Sequence, residues 1–147
     1  MSGGVIEIRR RIPANVAEVF QWWTDPIRLS EWMTPTGEVT AEVDLRVGGR
    51  LRIVMRGDGR VIEHVGEYLE IEPPRRLVFT WTSAFTDGRP SVVTVELEPD
   101  GDDATQLRLV HSELPEPTAA GHQQGWSAMI DRLVEGVTSN AGLRRGS

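Results

Sequence analysis

The chain has 147 residues, with 22 acidic against 16 basic side chains and a formal charge of −6. A chain of this length buries roughly 70% of its unfolded surface, enough for one core without a disulfide or structural metal. The acidic balance argues against a nucleic-acid partner, because phosphates are held by clustered Lys and Arg, and the absence of cysteine excludes disulfides, thiolate zinc sites and cysteine nucleophiles.

Val5 to Ile12 alternates, with Ile6, Ile8 and Ile12 on one face and Glu7, Arg9 and Arg11 on the other, which predicts a half-buried strand. Pro13 ends it. Asn15 with Glu18 three residues on is close to a capping box, and Val16, Val19, Phe20 and Trp23 at helical spacing predict a helix over 14–23. Asp25-Pro26 opens a second short helix, since Asp caps and Pro lacks an N–H that would be unbonded at the first position. Ile27, Leu29, Trp32 and Met33 are assigned to this helix, which stops before Pro35.

From Gly37 to Ser112 the pattern becomes strands separated by turns. Val39, Ala41 and Val43 alternate, and a turn at Gly48-Gly49 leads to Leu51, Ile53 and Met55. Gly57-Asp58-Gly59 signals a hairpin, followed by a long strand over 61–71 with a bend or bulge at Gly66. Leu77, Phe79 and Trp81 share a face. Asp87-Gly88 turns into Val93, Val95 and Leu97, and Asp100-Gly101 into Leu107, Leu109 and His111. Short strands joined by such turns form an antiparallel meander.

Trp126, Met129, Ile130, Leu133, Val134 and Val137 form an amphipathic stripe that predicts a helix over about 118–138, roughly 30 Å long. Gly121 and Gly125 weaken its first turns by about 1 kcal/mol each, placing its start near His122. The expected fold class is α+β: six to seven antiparallel strands curved around a long C-terminal helix, with two short helices after the first strand. Residues 1–147 read as a single domain with its core over about 5–138. The start lacks the basic and apolar regions of a signal peptide, and no apolar stretch is long enough to cross a bilayer, so a cytoplasmic protein with no membrane partner is expected. The basic run Arg9-Arg10-Arg11 falls on a strand that divides it between two faces, and Arg144-Arg145 is placed in a C-terminal tail.

Several stretches resemble one superfamily. They are Arg10-x-Ile12-x-Ala14 with Val19-Phe20 and Thr24-Asp25-Pro26, then Trp32; Asp44-Leu45-Arg46-Val47-Gly48-Gly49-Arg50; the run from Gly66 through Pro73-Pro74 to Trp81; Leu107-x-Leu109-x-His111-Ser112; and Gly125-Trp126. In this order over 6–137 they resemble the START-like or SRPBCC superfamily, in its branch of activators of heat-shock protein 90 ATPase. The resemblance implies a helix-grip fold and binding of an apolar or amphipathic small molecule between sheet and helix. It also implies two alternatives, a cyclase- or hydratase-type enzyme and a chaperone partner.

Five tryptophans stand beside one tyrosine and three phenylalanines. Trp23 is expected in the core beside Phe20, and Trp32, Trp81 and Trp126 nearer a pocket. The expected ligand-binding set is Trp32, Met55, His64, Tyr68, Phe79, Trp81, His111, Trp126 and Met129. Candidate acid–base groups are His111, His64 and Glu67. His111 shares the inward face of Leu107 and Leu109, where a lone His is more often a satisfied core residue than a catalyst. Glu63 and Glu67 share parity with Val65 and Leu69, which leaves an inward placement of one of them open, but a bulged or edge strand with both solvated is the favoured reading. A buried Glu would have a raised pKa and serve as a base. His122, one helical turn before Trp126, reaches toward the pocket mouth. The three histidines lack metal-ligand spacing, so no metal and no cofactor are expected. The chain therefore reads as a binding module rather than an enzyme, and its oligomeric state, a homodimer included, is left open.

Overall fold

The computed structural model describes residues 4–146, with side chains described for 4–139. Its elements run β1 (Gly4–Ile12), α1 (Val16–Thr24), α2 (Pro26–Leu29), β2 (Glu38–Val43), β3 (Arg50–Gly57), β4 (Arg60–Glu72), β5 (Arg76–Trp81), β6 (Ser91–Pro99), β7 (Thr105–Leu114) and α3 (Ala119–Gly146). Short 3-10 turns at Ala84–Thr86 and Glu116–Thr118 follow β5 and precede α3. The seven strands form one antiparallel sheet in the order β1-β7-β6-β5-β4-β3-β2. All but the first are joined in sequence, so β1 closes against the last strand. This is the helix-grip arrangement.

Local chemistry accounts for the boundaries. The Asn15 side chain accepts the Glu18 backbone N–H at 2.9 Å, and Asp25 accepts that of Ile27 at 2.8 Å, so each short helix begins on a side-chain cap. Asp58-Gly59 both take positive φ, as a twist-matched two-residue turn between antiparallel strands requires, and Asp87, also at positive φ, is the left-handed cap of the 3-10 turn that follows β5. Along α3 the predicted stripe is buried: Trp126, Met129, Ile130, Leu133 and Val137 face the core, and Val134 packs against it. Each such side chain contributes about 1.5–3 kcal/mol on burial.

Three boundaries differ from expectation. The helix after Asp25 is a single turn ending at Leu29. Trp32 and Met33 lie in the turns that follow, their N–H groups bonded back to the Leu29 carbonyl, and Ile27 is 73% exposed. Second, α3 begins at Ala119 rather than near His122, because the 3-10 turn at Glu116–Thr118 has already set the chain in helical register. Third, α3 continues to Gly146, which puts Arg144-Arg145 on a helix instead of a tail. Among the described residues no helix is long and apolar enough to cross a membrane.

The bend at Gly66 is present and has a steric cause. A Cβ there would lie 2.0 Å from the Thr80 carbonyl oxygen, so only glycine lets β4 approach β5 this closely. The ladder slips between Tyr68 and Glu70, and the Glu67 N–H donates to the Thr80 hydroxyl instead of a backbone carbonyl. The bulge curves the sheet over α3.

Candidate functional site

Between the curved sheet and the first turns of α3 lies a cavity of about 500 Å³. Met55 from β3, His64 from β4 and Trp81 from β5 form the sheet side. Two adjacent rows of α3 form the other, with Gly121, Gly125 and Met129 in one and His122 and Trp126 in the next. Thr118 with Pro35, Ala84, Phe85 and Pro117 complete the wall, and the last four are themselves exposed, so the cavity opens to solvent past the 3-10 turn at Ala84–Thr86. Rings dominate the interior. The His64 ring stacks on Trp81 at 4.5 Å, Trp81 meets Trp126 at 5.6 Å, and Phe85 lies 5.9 Å from His64.

His111 is fully buried and every polar atom of its ring is used. The Trp126 indole N–H donates to Nδ1 at 2.9 Å. Because an indole only donates, Nδ1 is an acceptor and the ring proton sits on Nε2. That nitrogen donates to the Ser91 hydroxyl at 2.7 Å, which in turn donates to the Trp81 carbonyl at 2.6 Å. Burial first, then His122 and His64, push the pKa of His111 down to about 3, so the ring stays neutral. A proton added to Nδ1 would face the indole N–H. His111 is thus a strut joining β5, β6, β7 and α3.

His64 is in the opposite condition. It is only 3% exposed, yet neither ring nitrogen has a hydrogen-bond partner among the described residues. Burial, with His122 nearby, pushes its pKa down to about 4. In His122, Nδ1 lies 2.9 Å from the Thr118 carbonyl and must donate to it, while Nε2 is buried with no hydrogen-bond partner among the described residues. Each such atom costs about 1–3 kcal/mol. The Tyr68 hydroxyl is also buried with no hydrogen-bond partner among the described residues, and burial raises its pKa.

The sequence-derived candidates divide clearly. Met55, His64, Trp81, Trp126 and Met129 lie on the cavity wall. Trp32, Tyr68, Phe79 and His111 are buried in the core and off that wall. Trp32 stacks edge-on against Trp23 at 4.6 Å, with its indole N–H donating to the Trp22 carbonyl, and Tyr68 packs edge-on against Phe79. Glu67 is exposed, the solvated placement favoured for it, since His64 and Tyr68 occupy the inward parity of β4. Glu63 is outward as well and pairs with Arg52. Phe85, Gly121 and Gly125 are wall residues that the strand and helix patterns did not single out. The glycines carried a signal in their spacing of four, which places them on one helix face with Met129. Among the described residues no group of three or more His, Asp or Glu side chains is placed to hold a metal ion.

Comparison with known proteins fits this architecture. Residues 13–138 match the family model described as activator of Hsp90 ATPase homolog 1-like protein. The chain belongs to this family. CalU16 from Micromonospora echinospora is 31% identical, with a TM-score of 0.70, over 93% of this chain and 78% of its own. An HSP90 activator from Plasmodium falciparum is 30% identical, with a TM-score of 0.62, over 77% of this chain and 75% of its own. Protein NE0264 from Nitrosomonas europaea, at 23% identity and a TM-score of 0.79 over 94% of this chain and 96% of its own, shares the fold. No curated protein sequence matches the chain.

Proposed function

We propose that this family member binds an apolar or amphipathic small molecule, without covalent chemistry, in the cavity between the sheet and α3. The observation that carries the reading is the cavity itself: about 500 Å³, walled by Met55, Trp81, Phe85, Trp126 and Met129 and open at one end. Small-molecule sites have volumes of about 300–1,000 Å³ and mostly apolar walls with a few polar groups. Of the three acid–base candidates only His64 lies on the wall. His111 is held in its hydrogen-bond chain and Glu67 is exposed, which supports binding over a cyclase- or hydratase-type reaction.

A thermal-shift screen of apolar compounds, followed by native mass spectrometry, tests this. A ligand present at 100 times its Kd stabilises the fold by about 2.7 kcal/mol, which raises the unfolding midpoint by several degrees. Trp81 and Trp126 emission should change with the same ligands. A panel that moves neither midpoint nor emission overturns the reading.

The family description and the Plasmodium relative favour a second reading, action on a heat-shock protein 90-type ATPase. It requires the chain to raise that enzyme's ATP hydrolysis rate. An unchanged rate at saturating chain disposes of it.

A further inference from the structure

We infer that the cavity takes an uncharged, rigid ring compound, an arene in chemical class, rather than a chain with a charged head group. The inference rests on the small-molecule reading above and narrows it. Among the described residues no Asp, Glu, Lys or Arg lines the wall. The three polar side chains there, Thr118, His64 and His122, are turned away or already bonded. The Thr118 hydroxyl donates to the Pro115 carbonyl at 2.7 Å, and His122 Nδ1 donates to the Thr118 carbonyl. His122 Nε2 and both nitrogens of His64 have less than 1 Å² of accessible surface each, which puts them out of a ligand's reach. No donor among these three is left to hold a carboxylate or a phosphate. An anion entering the cavity would lose its water with no cation to replace it.

The shape follows from the two facing walls. On one side Phe85, His64, Trp81 and Trp126 form a continuous row of rings, with successive centroids 5.9, 4.5 and 5.6 Å apart. On the other side Gly121 and Gly125 share a row of α3 that Met129 continues. A Cβ added at either glycine would meet nothing within 4 Å, so packing within the protein does not require glycine there. Alanine would favour the helix more. What the glycines preserve is a shelf of bare helix backbone on which a flat molecule can lie closely. Aromatic rings facing that shelf favour another ring in offset or edge-on contact. A rigid ring system gives up no rotatable bonds on entry, whereas an alkyl chain must fix most of its own.

Protein titrated calorimetrically into naphthalene, 2-naphthoate and decan-1-ol at pH 7.5 separates charge from shape. Naphthalene should bind at least fivefold more tightly than either of the others. Gly125→Leu, which fills the shelf, should weaken naphthalene by tenfold or more while the circular dichroism spectrum is retained. A smaller preference over 2-naphthoate overturns the uncharged class, and a smaller preference over decan-1-ol overturns the ring. Either result leaves the cavity reading standing. Should Gly125→Leu fail to fold, the three ligands on the unaltered protein still decide. No binding of any of the three counts against the cavity reading as well.

Discussion

The Trp126 indole N–H donates to His111 Nδ1 at 2.9 Å, and this one bond assigns the histidine proton to Nε2 and joins α3 to β7. It also ties a cavity wall residue to the core, because Trp126 lines the cavity while His111 does not. Trp126→Phe keeps most of the ring and leaves His111 Nδ1 buried without a donor. The expected cost is about 1–3 kcal/mol, measured by urea denaturation. Nitrogen-15 NMR should show His111 protonated at Nε2 in the unaltered protein. A proton on Nδ1 would contradict the bond as drawn.

Buried neutral histidines make the fold sensitive to acid. His64 and His111 have pKa values lowered to about 4 and about 3 in the folded protein, against about 6.5 in an unfolded chain. Between these limits the unfolded chain binds more protons than the folded one, so stability falls as pH falls. The contribution is complete above pH 7 and is lost progressively from about 6.5 down to the folded values. Each histidine adds about 1.4 kcal/mol per pH unit within that window, so the two together remove on the order of 4 kcal/mol between pH 7.5 and 5. Denaturation curves at these two pH values check the sign and the size. His64→Phe should flatten the dependence by about half.

Two glycines should refuse even a methyl group. At Gly136 a Cβ would come within 2.8 Å of the Trp22 ring, which is 1% exposed and has no room to retreat. Gly136→Ala should therefore destabilise by about 1–3 kcal/mol through overpacking, despite alanine's better helix propensity. At Gly66 the obstruction is the Thr80 backbone carbonyl, 2.0 Å from the added carbon, and Gly66→Ala should cost at least as much. Gly121→Ala, where a Cβ meets nothing, serves as the control and should leave the unfolding midpoint unchanged or raised.

The strands, their turns and the face of the long helix were legible in the sequence because each depends on local periodicity. Ile6, Ile8 and Ile12 alternate inward in β1, Asn15 caps α1, and the stripe from Trp126 to Val137 is buried as its spacing requires. The α3 boundaries were less legible. Gly121 and Gly125 lower helix propensity, but the preceding 3-10 turn and packing on the sheet override a preference of that size. The identity of the site belongs to tertiary structure. His64 and His111 are both inward-facing, and parity cannot say that one has two partners while the other has none. The partners of His111 come from β6, paired with its own strand, and from α3, both distant along the chain and brought close only by the tertiary fold. Hydrogen bonds across elements are set by proximity in space. The same holds for Gly121 and Gly125, whose meaning lies in the empty volume beside them. The sequence by itself determined a sheet gripping a helix. Only the folded structure decided which histidine supports the core and which faces the cavity.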